Sequence, residues 1–149
     1  MLTQLRKRKE GFTIIEVLIV LAIAGLILLV VFLAVPALQR NSRNTQRKNE
    51  VSSILGAVNE WTNNNGGKLP SASGSERADA LGNAKLSFYT GNVTWATGAQ
   101  TNGTSTDSAV IVTGGKCNGA NSVAGSARQL VVLYTVETGG GEQKLCQES

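Results

Sequence analysis

The chain has 149 residues, a formal net charge of +4, no histidine and two cysteines. That length leaves room for one small domain beside any membrane-length segment, which excludes a large enclosed active site. The lack of histidine excludes His-based triads and His-ligated metal hydrolysis.

Charge is distributed unevenly. Residues 1–11 carry net +3 (Arg6, Lys7, Arg8 and Lys9 against Glu10), residues 12–48 carry net +3 again (Arg40, Arg43, Arg47 and Lys48 against Glu16), and residues 49–149 carry net −2. The basic character therefore flanks one segment, and the C-terminal part offers no basic face to nucleic acid.

The segment between the basic flanks, residues 12–38, is a 27-residue apolar run whose single charge is Glu16. As a helix, residues 12–35 would span roughly 36 Å, enough to cross a hydrocarbon core of ~30 Å. The run is too long for a secretory signal peptide, and Gln39-Arg40-Asn41 after it is not a small-x-small cleavage site. Basic residues at both ends leave the orientation open. Both cysteines, Cys117 and Cys146, lie beyond the run, the distribution of one disulfide on the oxidising side of a membrane rather than of two free thiols, which places the C-terminal part outside. Arg40, Arg43, Arg47 and Lys48 are then expected at the lipid headgroups. A carboxylate costs on the order of 2.5–3.5 kcal/mol at the bilayer centre, so Glu16 calls for a partner, the alternative being that it lies near the interface and reaches headgroup water.

Pro36 lacks an amide donor and strains the carbonyl of Phe32, so a bend or local loosening of the helix is expected there, the alternative being that the helix ends. Residues 40–48 are polar without periodicity, whereas Val51, Ile54, Leu55, Val58 and Trp61 recur at helical steps. The pattern predicts one helix from 12 to 61: apolar all round over 12–38, then a continuation over 39–61 that packs against a head. Asn63-Asn64-Asn65-Gly66-Gly67 terminates it.

Residues 62–149 form the head. Most of 68–107 reads as loop, with a small hairpin from 86–89 and 93–96 around Thr90-Gly91-Asn92. The β-branched runs 109–113 and 129–136 read as strands of an antiparallel sheet covering the Val51-to-Trp61 stripe. The Cys117–Cys146 disulfide would tie the loop after one strand to the tail after the other. The fold class is thus α+β, a long N-terminal helix packed by a small antiparallel sheet. No phosphate loop, Cys-x-x-Cys pair or nucleophile-base spacing is present, so no catalytic residue, metal site or cofactor is expected. Asn92-Val93-Thr94 and Asn102-Gly103-Thr104 match the glycosylation sequon, a triplet that recurs by chance in so Asn- and Thr-rich a sequence.

The most specific signal is Lys7-Arg8-Lys9-Glu10-Gly11 followed by Phe12-Thr13-Ile14-Ile15-Glu16 and the apolar run. This first third of the chain resembles the type IV prepilin signature shared by type IV pilins and the pseudopilins of type II secretion and DNA-uptake machines. The resemblance implies a leader, residues 1–11, that a prepilin peptidase cuts between Gly11 and Phe12 before methylating the new amino group of Phe12. It further implies that Glu16 attracts the Phe12 amine of an adjacent subunit and sets register, and that the apolar helix becomes the core of a filament. The expected function is that of a structural pilus subunit: an inner-membrane precursor with its head outside, then an extracellular fibre for motility, adhesion or DNA uptake. Its partners would be copies of itself, the peptidase, a pilus assembly platform and, before assembly, membrane lipid. A pseudopilin is the nearest alternative, and a single-pass anchored binding domain the alternative from another class.

Overall fold

The computed structural model describes residues 11–71 and 74–149. The basic leader residues Arg6, Lys7, Arg8 and Lys9 lie outside the described residues. The chain divides into two units, Met1–Leu38 and Gln39–Ser149, and one helix, α1 (Ile14–Asn64), begins in the first and ends in the second. Pro36 lies inside α1, so the helix does not stop at it.

In the second unit Val51, Ile54 and Val58 of α1 are fully buried and Leu55 nearly so, with Trp61 packed at their edge. This is the predicted stripe. Arg47 and Glu50 extend it toward the N-terminus with polar side chains that are also buried. The helix ends as its Asn-Gly sequence predicts: Gly67 N–H bonds the Thr62 carbonyl at 2.8 Å while Gly66 takes a left-handed φ of 69°, the six-to-one closure of a Schellman motif.

After α1 come a short helix, α2 (Gly74–Leu81), and six strands: β1 (Val93–Thr97), β2 (Ala109–Thr113), β3 (Gly115–Asn118), β4 (Asn121–Ala124), β5 (Leu130–Thr138) and β6 (Gly141–Glu148). Four of them form a sheet in the order β1-β2-β5-β6, and β3 pairs with β4 in a separate ribbon. β2/β5 and β5/β6 are antiparallel. The architecture is therefore the expected α+β arrangement of a long helix and an antiparallel-rich sheet.

Both faces of the sheet are covered. Leu130, Val132, Tyr134 and Val136 of β5 pack with the α1 stripe, whereas Val131 and Leu133 pack with Val112 on the other side. Burial on both faces explains why β5 reads as a continuous apolar run rather than an alternating one. Val110, Ala96 and both cysteines pack around that second cluster, where the disulfide ties β3 to β6.

Several local expectations are corrected. Residues 86–89 form no strand with 93–96. Instead β1 lies parallel to β2, with Val93 opposite Ala109, and the chain preceding β1 is drawn toward Glu50. Residues 74–81, expected as loop, form α2. Cys117 and Cys146, expected in a loop and a tail, both sit in strands.

Candidate functional site

In the first unit the large apolar residues have no cover among the described residues. Nineteen large apolar side chains between Phe12 and Leu38 are exposed, from 41% at Val35 to 89% at Phe12. α1 is the one helix among the described residues long and apolar enough to cross a membrane, and its most apolar window is wholly unburied. Full burial of one such side chain stabilises by about 1.5–3 kcal/mol, so the segment forgoes tens of kcal/mol unless lipid or other apolar surface surrounds it.

Gly11, Phe12 and Thr13 precede the helix in exposed, non-helical backbone. A Cβ added at Gly11 would meet nothing within 4 Å. Among the described residues no packing demands the glycine.

Thr13 and Glu16 form a reciprocal capping box. The Glu16 N–H donates to Thr13 Oγ1 at 3.3 Å, while Glu16 Oε2 accepts from the Thr13 N–H and hydroxyl, each at 2.8 Å. Two helix-terminal amides are thereby satisfied, and the carboxylate sits at the positive end of the helix dipole. Glu16 consequently has a partial answer to its charge within its own chain. This partner is additional to the adjoining-subunit amine that the family resemblance implies, and a Thr three residues before a Glu at the head of an apolar run is its sequence signature.

In the second unit the basic residues after the run have distinct surroundings. Lys48 is exposed and Arg40 half-buried. Arg43 and Arg47 both bind the Glu137 carboxylate, Arg43 through two contacts and Arg47 at 2.8 Å. Arg47 also donates to the Thr106 carbonyl at 2.6 Å, stacks over the Phe88 ring at 4.8 Å and is 4% exposed. The headgroup role expected of Arg47 is therefore corrected: its guanidinium is spent inside the head. Arg43, with 41% of its side chain exposed, is partly spent in the same way. The Arg43 hydrogen bonds, with Arg47 beside them, hold the Glu137 carboxyl down at about 2.

Glu50 forms a second polar anchor. Its carboxylate, buried on α1, accepts the N–H groups of Ser87, Phe88 and Tyr89 at 2.8–3.1 Å. Three successive amides pointing at one carboxylate fix residues 87–89 as a turn, which leaves them unable to pair as a strand.

A family model described as the prokaryotic N-terminal methylation motif matches residues 6–32. No match was found among curated proteins or among solved structures. The match takes in the basic residues Arg6 to Lys9, the Gly11–Phe12 pair, Glu16 and the apolar helix as far as Phe32, so this chain carries the hallmark of the type IV prepilin and pseudopilin family.

Proposed function

We propose that the chain is the structural subunit of a type IV pilus, held first as a single-pass inner-membrane precursor with its head outside and then assembled into a surface filament. The observation that carries this reading is the methylation motif over residues 6–32 continuous with an apolar helix that the chain itself leaves bare. In the membrane, lipid covers that helix, with Arg40, Lys48 and the exposed part of Arg43 near the headgroups. In the fibre, the same helices of neighbouring copies cover it, because identical apolar surfaces can replace lipid at little cost. A prepilin peptidase cuts between Gly11 and Phe12 and methylates Phe12, and an assembly platform extracts the mature chain.

Glu16 sets register in this scheme. Cleavage frees an amine at Phe12 that is cationic at neutral pH, and the Glu16 carboxylate, oriented by Thr13, attracts the amine of the adjoining subunit. Glu16→Ala should leave cleavage intact but abolish surface fibres, with mature chain accumulating in the membrane. Normal fibre yield from that variant, by electron microscopy and shearing, would overturn the assignment. Pro36 supplies the bend or loosening that lets packed helices nest, and Pro36→Ala fibres that assemble and extend like the parent's would contradict that role.

A further inference from the structure

The two glycosylation triplets of the head have opposite environments. Asn102 is 2% exposed, and its carboxamide NH2 donates to the Tyr134 carbonyl at 3.3 Å and the Leu145 carbonyl at 2.9 Å. Its Oδ1 accepts from the Thr104 N–H at 3.1 Å and the Thr104 hydroxyl at 2.7 Å. That hydroxyl, which an N-glycan transferase must read in the triplet, is itself buried against Thr135 Oγ1 at 2.8 Å. Both amide hydrogens of Asn102 are thus committed, and releasing them would open a buried polar network.

Asn92 and Thr94 are both exposed, and among the described residues the Asn92 carboxamide makes no hydrogen bond. Only its main chain is held, with N–H on the Tyr89 carbonyl at 3.0 Å and carbonyl accepting from Ala109 at 3.2 Å. The residue therefore stands at the end of a tight turn, after Gly91 with φ of 76°, and enters β1. That strand is the edge of the sheet, paired on one side only, and frays more readily than a central strand.

We propose that Asn92 is an acceptor for an N-linked glycan delivered from a lipid-diphosphate-linked oligosaccharide, and that Asn102 is closed to the same reaction once the head has folded. Asn92 Nδ2 attacks the anomeric carbon, the new N–C bond replaces the C–O bond to the diphosphate, the lipid diphosphate departs, and the Nδ2 proton passes to a carboxylate of the transferase. A glycan at this position would also shield the open edge of β1 from pairing with another strand. In a cell the reaction requires the head outside, as proposed above, so the test is made in vitro, where its failure is separate from failure of the pilin reading.

The full chain in detergent is incubated with a reconstituted oligosaccharyltransferase and its lipid-linked donor, beside two short peptides that each contain one triplet. Peptide mapping should find transfer to both peptides but, in the folded chain, to Asn92 alone, with complete loss in Asn92→Gln and in Thr94→Val. Because Asn92 and Thr94 are exposed, these variants should keep the parent's circular dichroism. A folded chain or an Asn92 peptide left unmodified would overturn the first half of the proposal. Transfer to Asn102 in the folded chain, or an Asn102 peptide that never accepts, would overturn the second.

Discussion

The Asn44 side chain holds the main chain of Glu137 from both sides: its carboxamide donates to the Glu137 carbonyl at 2.6 Å and accepts the Glu137 N–H at 2.9 Å. β2 pairs with β5 only through residues 130–133, so beyond Leu133 the β2-facing side of β5 has no strand beside it among the described residues. Asn44 takes the place of one there. Asn44→Ala would leave both Glu137 groups without that partner, at a cost of about 1–3 kcal/mol, visible as a lower urea midpoint of the detergent-solubilised chain. An unchanged midpoint would mean that water replaces Asn44 without loss.

Glu137 makes the stability of the head depend on acid. Its carboxyl titrates at about 2 when folded, against an ordinary value of 4.5. Because the folded value is the lower one, the stabilisation is complete above pH ~5 and is lost as pH falls through 4.5 toward 2. With 23% of the side chain exposed, solvent screening reduces the contribution to about 1–2 kcal/mol. Denaturation at a series of pH values should show this loss in the parent and a flatter profile in Glu137→Gln. Parallel profiles would contradict the assignment.

Glu50 fixes residues 87–89 from the helix side. In Glu50→Gln an NH2 group replaces one acceptor oxygen and faces N–H donors, so about 2–3 kcal/mol of charge-assisted bonding should be lost. Hydrogen exchange should quicken at the Ser87, Phe88 and Tyr89 amides before it does in β5. Equal protection in parent and variant would show that the turn holds without the carboxylate.

What could be read from the sequence follows from how local each signal is. The stripe from Val51 to Trp61, the Asn-Gly helix end and the strand over 130–136 announce themselves through periodicity, left-handed turn chemistry and β-branching within a few residues. β6, with the polar sequence GEQKLCQE, carries no such pattern, because an edge strand is set by its neighbour rather than by its own burial. The parallel pairing of β1 is equally silent, since nothing in Val93–Thr97 states which strand it will meet. Arg43 and Arg47 looked like lipid-facing charges because their partner lies 94 and 90 residues away. The Thr13–Glu16 cap, by contrast, is local, a Thr three residues before a Glu at the head of an apolar run.

In the proposed function the segment around Glu16 leaves the membrane as the processed N-terminus of a filament subunit. The most direct test is mass spectrometry of filaments sheared from the cell surface. The expected N-terminal peptide begins at Phe12 and carries one methyl group. Sheared material that lacks the chain, with the chain retained in the membrane and residues 1–11 still attached, would contradict it.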